Sequence, residues 1–136
     1  MKKLLLFLFT ISVLASCNSN SESACNQAYI GGEIINPIND HIILYDDTSP
    51  IDTLYLDKDN RFSYEIGEVS SGLHSFIHGG QYQVLILEPN DSIMLRTNTL
   101  DFDKSLVFTG RGSKKNNYLI DLFNTLDGED KVIYEV

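Results

Sequence analysis

The sequence predicts an all-β fold, an antiparallel β-sandwich of about eight short strands with one C-terminal helix. Three observations carry that expectation. From Tyr29 onward, short apolar segments are separated by turn residues every eight to twelve positions, a spacing typical of sandwiches and barrels. Within several segments apolar and polar residues alternate, the period of a strand with one wet face. After Gly112 the period changes once, to that of a helix.

Tyr29 to Ile35 is the first expected strand, and Gly31-Gly32 inside it suggests a bulge or a close approach of another backbone. Asn36 to Asp40 is a turn cluster, His41 to Tyr45 the second strand, and Asp46 to Pro50 a second break. Ile51 to Leu56 and Arg61 to Ile66 flank Asp57-Lys58-Asp59-Asn60 and form the best hairpin signal. Asp57 can accept bonds from N–H groups of its own turn, and Asn60 tolerates a left-handed backbone. Gly72 to His78 and Gln81 to Glu88 pair around Gly79-Gly80. In the latter segment Tyr82, Val84 and Ile86 share one face while Leu85 and Leu87 crowd the other, which points to a central strand.

Pro89-Asn90-Asp91 turns the chain into Ser92 to Thr97, and Ser105 to Thr109 is the last strand before Gly110-Arg111-Gly112. Ser113 is placed as the N-cap of a helix running to about Leu126. Tyr118, Leu119, Leu122, Phe123 and Leu126 form its apolar stripe, and Asp127-Gly128-Glu129-Asp130 is expected to end it. The tail from 127 to 136 closes on the apolar, β-prone Lys131-Val132-Ile133-Tyr134-Glu135-Val136. Stopping in mid-pattern is what a truncated or split product would do.

Upstream of the fold the chain reads as an address. Residues 1–16 combine Lys2 and Lys3, an apolar run from Leu4 to Leu14, and small Ala15 and Ser16 before Cys17. These are the parts of a cleavable export signal, and the apolar run is shorter than the roughly 20 residues a membrane-spanning helix needs. Leu14-Ala15-Ser16-Cys17 resembles the lipobox of bacterial lipoproteins. That resemblance implies a diacylglyceryl group on the Cys17 sulfur and Cys17 as the new N-terminus. Two or more acyl chains anchor stably where one is marginal. Residues 17–27, rich in Ser and Asn, read as a flexible tether, and residues 28–112 as the sandwich. Lipid-anchored residence at the cell envelope follows, on the periplasmic or surface side and with the outer membrane as the expected site.

The chain has 136 residues, so losing the first sixteen leaves 120, enough for one domain. Loss of Lys2 and Lys3 with the leader takes the formal charge from −9 to −11. A surface that acidic excludes nucleic acid and electrostatic docking on anionic lipid as partners. With Cys17 committed to lipid, Cys25 has no partner for an intrachain disulfide. It is expected to sit partly buried at the start of the first strand. No Cys-x-x-Cys is present.

No active site is legible. His41, His74 and His78 are the candidates for metal or acid–base work. On a strand His74 and His78 share a face but stand about 13 Å apart, too far for one metal. Asp57 and Asp59 lack the remaining ligands of a calcium loop. No Gly-x-Ser-x-Gly, phosphate-loop or zinc-protease motif occurs, and Gly110-Arg111-Gly112 is too short to cradle phosphate. Catalytic, cofactor-binding and metal-ligating assignments are therefore none, and Cys17 is the one residue given a chemical fate. Tyr45, Tyr55, Tyr64 and Tyr82 are contact aromatics if the domain captures peptide or glycan. At strand spacing they also suit core or cross-strand pairs.

Several landmarks then carry a family likeness: Ile30-Gly31-Gly32-Glu33-Ile34-Ile35-Asn36, the Asp57-to-Phe62 turn, Leu87-Glu88-Pro89-Asn90-Asp91-Ser92-Ile93, and Leu106 to Leu119 with Asn116-Asn117 at a helix start. Together residues 28 to 126 resemble the N-terminal β-sandwich domain of Bacteroidetes-type lipoproteins, which there precedes a thioredoxin-like thiol–disulfide oxidoreductase domain. Asn60 and Asn90 stand where that family usually has Gly, and Asn adopts the same left-handed backbone at modest cost. The redox domain and its Cys pair are absent from this chain, so no catalytic residue carries over. The expectation is a non-catalytic, lipid-anchored accessory or recognition domain with an envelope protein as partner. The alternative is the N-terminal part of a membrane-anchored thioredoxin-like oxidoreductase.

Overall fold

The computed structural model describes residues 26–133, with side chains to Asp127. The leader, Cys17, Cys25 and the last three residues lie outside the described part.

Eight strands form two four-stranded sheets and bear out the all-β sandwich. They are β1 (Ala28–Ile35), β2 (His41–Asp46), β3 (Ser49–Tyr55), β4 (Arg61–Ile66), β5 (Gly72–His78), β6 (Gln81–Leu87), β7 (Ser92–Asn98) and β8 (Val107–Arg111). The first sheet has the order β4-β1-β7-β8 and the second β3-β2-β5-β6. A 3-10 turn (Thr99–Asp101) and a one-turn helix, α1 (Phe102–Ser105), interrupt the strands, and α2 (Ser113–Ile133) follows them.

Alternation explains the core. Ile30, Ile34, Phe62, Ile66, Ile93, Leu95 and Phe108 of the first sheet face Ile42, Leu44, Leu54, Phe76, Leu85 and Leu87 of the second, and all are buried. Each such side chain taken from water contributes roughly 1.5–3 kcal/mol. Phe102 of α1 closes the core against Phe76, with ring centroids 6.0 Å apart.

Five details depart from the sequence reading. First, β1 and β7 pair in parallel while every other pair is antiparallel. The approach is close: a Cβ on Gly32 would stand 2.3 Å from the Leu95 carbonyl oxygen. The glycine pair therefore serves close packing.

Second, the Asp57–Asn60 turn joins strands of different sheets. Its local chemistry is as expected, with Asp57 Oδ1 accepting from Asp59 N–H at 2.8 Å and Arg61 N–H at 2.9 Å, and with Asn60 at φ 60°. Beyond it β3 pairs with β2 and β4 with β1. The true two-residue hairpin is β5–β6, where Gly79 and Gly80 have φ 57° and 84°.

Third, β6 is an edge strand, so its two apolar faces need another cause than central position.

Fourth, the last strand starts at Val107. Residues 98–105 coil first, because the Asn98 side chain accepts from Leu100 N–H at 3.1 Å and Ser105 Oγ accepts from Asn98 N–H at 2.8 Å. Polar side chains that bond nearby backbone favour such turns over strand.

Fifth, α2 begins at Ser113 itself and runs through Gly128 to Ile133. One interior glycine costs about 1 kcal/mol, too little to stop a helix already several turns long. Asn116 and Ile120 are its buried residues, while Tyr118, Leu122, Phe123 and Leu126 of the expected core stripe are exposed.

Candidate docking surface

The two sheets turn contrasting faces to solvent. On the first sheet the outward positions of β4 carry Arg61, Ser63 and Glu65, those of β7 Ser92, Met94 and Arg96, and those of β8 Val107, Thr109 and Arg111. All three arginines of the chain stand there. A groove of about 720 Å³ crosses this face over Met94 and Val107, between Arg61 and Arg96 on one side of the charge balance and Glu33 and Asp57 on the other. Arg96 pairs with Glu33 at 3.4 Å, and Arg111 donates to the Asn90 carbonyl. Paired charges of both signs are what a solvated face requires.

The outward positions of the second sheet follow from its register: His41, Ile43 and Tyr45 on β2, Thr53 and Tyr55 on β3, Leu73, Ser75 and Ile77 on β5, and Tyr82, Val84 and Ile86 on β6. None is Lys, Arg, Asp or Glu. Leu73 is 62% and Tyr82 59% exposed. In the register Ser75 lies between Tyr45 and Val84 and is buried, which leaves a low point between larger neighbours. A sheet that is apolar on both faces is built to be covered on both. Here the inner face meets the first sheet, and the outer face is open among the described residues.

Of the four tyrosines singled out from sequence, Tyr45 and Tyr82 stand on this face, and Tyr55, at its edge beside His41, also lines the groove of the first sheet. Tyr64 instead points inward between the sheets and is partly buried. Burial and a hydrogen bond to Asp52 raise its pKa. Ile43, Leu73, Ile77, Val84 and Ile86 were not singled out as a surface. For Val84 and Ile86 the signal was legible in the two-sided apolarity of Gln81 to Leu87, which was attributed to central position.

The histidines serve the fold. His74, Phe76 and His78 share the inner face of β5. His78 Nε2 accepts from Ile38 N–H at 3.0 Å while Nδ1 donates to the His41 carbonyl at 2.9 Å. That geometry specifies a neutral ring holding the β1–β2 connection. His74 donates to the Gly72 carbonyl at 3.2 Å, and its Nε2 lies 3.7 Å from Asp46. His41 lies on the outer face, beside Tyr55 and bonded to Asp40. No group of three metal-ligating side chains gathers among the described residues. Gly110-Arg111-Gly112 is the connector into α2, with Gly110 and Gly112 at φ 90° and 96°.

Helix α2 lies against the β6 and β8 edges and is fastened by adjacent asparagines. The Asn116 side chain accepts from Ile86 N–H at 2.7 Å and donates to the Ile86 carbonyl at 2.9 Å. Asn117 makes the same pair of bonds with Phe108, both at 2.8 Å. Each amide thus substitutes for a neighbouring strand at one sheet edge. Lys115 bonds Asp91 at 2.6 Å and Glu88 at 2.7 Å. Burial works against its ammonium, but those two carboxylates prevail and raise its pKa.

Beyond Ile120 the side chains of α2 are exposed as far as Asp127, Asn124 excepted. A cleft of about 260 Å³ separates this part of the helix from β6. Tyr82 and Val84 line one wall, Ile120 and Phe123 the other, with Asp103 and Asp127 also at its lining. Through Tyr82 and Val84 the cleft continues the dry face of the second sheet.

No described helix is long and apolar enough to cross a membrane. No family model, curated protein or solved structure matches the chain.

Proposed function

We propose that this chain is a lipid-anchored cell-envelope lipoprotein whose β-sandwich is a non-catalytic docking module for another envelope protein. The observation that carries docking is the uncharged, apolar outer face of the second sheet, set in a chain of formal charge −9. Contiguous exposed apolar surface on a soluble domain marks an interaction site. The leader pattern and Cys17 support the anchor, on the periplasmic or surface side of a membrane.

Two measurements test the reading. Labelled palmitate is incorporated by the native chain and lost in Cys17→Ser; label that persists in that variant refutes the anchor. A photo-cross-linking amino acid at position 73 gives a discrete adduct in the envelope, and the same group at position 65, outward on the first sheet, does not. Equal labelling at both positions refutes the docking face.

The exposed apolar stripe of α2 favours a second reading, the N-terminal part of a thioredoxin-like thiol–disulfide oxidoreductase, its apolar helix face covered by the redox domain. A coding frame that continues past Val136 into a Cys-x-x-Cys segment supports it, and a frame that ends there removes it.

A further inference from the structure

We infer that the occupant of the dry face is a basic amphipathic protein segment, an apolar ridge bordered by Lys or Arg, and that it anchors an apolar side chain in the cleft between β6 and α2. The inference rests on the docking reading above and adds the chemistry of the partner.

Charge selects this occupant. None of the four strands of the second sheet contains Lys or Arg, and the exposed Asp40 and Asp47 flank β2, while Asp46 and Asp52 fall at inward register positions beside His74 and Tyr64. Asp103 and Asp127 stand at the cleft itself, and no cation lines it. The nearby ammonium of Lys115 is occupied by Asp91 and Glu88. A partner that fills the cleft must therefore meet two carboxylates, Asp103 and Asp127, that no cation at its lining compensates. Like charge across an interface is costly and opposite charge fixes register.

The same carboxylates argue against a second copy of this chain placed cleft to cleft, since like charges would be brought together. They argue against an anionic lipid surface for the same reason. A glycan is a poor fit because Ile43, Ile77, Val84 and Ile86 dominate the face and the hydroxyl residue among them, Ser75, is buried. The cleft supplies specificity. Tyr82 and Phe123 form an aromatic-lined slot, and buried aromatic contacts dominate small interfaces.

The test uses the mature lipidated chain in lipid discs with a photo-cross-linker at position 84. The probes are two labelled synthetic peptides, each with one leucine stripe on a helix, flanked by lysines in one and glutamates in the other. Variants are compared at one disc concentration, so peptide held by lipid cancels. The lysine peptide gives an adduct at least about tenfold stronger than the glutamate peptide. Phe123→Glu and Leu73→Glu abolish that adduct. Asp103→Asn with Asp127→Asn weakens it by about threefold per carboxylate, and Glu65→Lys on the opposite face does not weaken it. All five positions are exposed, so the variants fold.

Equal adducts from both peptides, or none from either, overturn the inference. If position 73 still yields an envelope adduct in that case, docking stands and only the chemistry of the partner falls. An adduct that proves to be a second copy of the chain also overturns the basic-segment inference. Loss of every adduct removes both readings.

Discussion

Asn116 and Asn117 follow each other in sequence yet serve different sheets, one at Ile86 and the other at Phe108. A helix turns about 100° per residue, so consecutive side chains at its start can reach two edges that flank it. Asn is suited to this because one side chain offers both an acceptor and donors. Removing a buried partner leaves the Ile86 N–H and C=O unsatisfied. Asn116→Ala is expected to lower unfolding free energy by about 3 kcal/mol. Asn117→Ala, at a less buried site, costs about 1–2 kcal/mol. Urea midpoints measure both, and Asn116→Asp does not rescue, since it keeps the acceptor but loses the donor and buries a charge. The Asn-Asn pair was visible as a motif, but its role was not, because no local pattern tells which distant backbone a side chain will meet.

Titration at the residue scale has two signs. Hydrogen bonds from Arg61 and Asp59 N–H depress the Asp57 pKa in the folded chain. Its contribution is therefore present above the ordinary carboxylate value near pH 4 and is lost as pH falls through the lower folded value. Lys115 behaves oppositely. Its folded pKa is raised by Asp91 and Glu88 against the opposing effect of burial. The stability it supplies is complete below about pH 10 and disappears as pH rises through the raised value. Asp57→Asn is expected to flatten the acid limb of a stability–pH curve and Lys115→Met the alkaline limb. A Lys115→Met variant with an unchanged alkaline limb would show that the triad does not couple to folding.

At the scale of elements, local chemistry was legible and pairing was not. The Asp57–Asn60 turn forms with the expected bonds and backbone, yet it hands the chain from the second sheet to the first. Tight-turn residues specify the reversal; which sheet the next strand joins depends on where Phe62 and Ile66 find a core. For the same reason the parallel β1–β7 pair was invisible, because its partners are separated by five intervening strands. Helix α2 makes the point from the other side. A stripe at helical spacing correctly announced a helix, but the buried positions are Asn116 and Ile120, and the stripe faces outward. Helical period thus identified an apolar face without identifying what covers it. The exposed positions predict weak local stability. Amides of residues 121–127 are expected to exchange with solvent faster than those of 117–120, the first with an acceptor inside the helix, in native-state hydrogen exchange. Equal protection along the helix would mean that the outer half is covered in solution.

For the whole molecule, the sandwich separates its strong bases: all three arginines stand on the outer face of the first sheet, and the strands of the second contain neither Lys nor Arg. Leu73 tests whether the dry face exists to maintain the fold or to meet a partner. It points outward at 62% exposure, so it makes little of its contact within the domain. Surface substitutions of that kind usually change stability by no more than about 0.5 kcal/mol. Leu73→Glu is therefore expected to leave the urea midpoint nearly unchanged while reducing binding of an apolar dye such as ANS. Met94→Glu, 44% exposed on the arginine-bearing face, serves as the matched control and changes dye binding little, because its neighbours there are already charged. If Leu73→Glu instead costs several kcal/mol, the face is part of the stability of the isolated chain. If it costs nothing and dye binding also persists, the apolar surface lies elsewhere, and the exposed stripe of α2 becomes the surface to map.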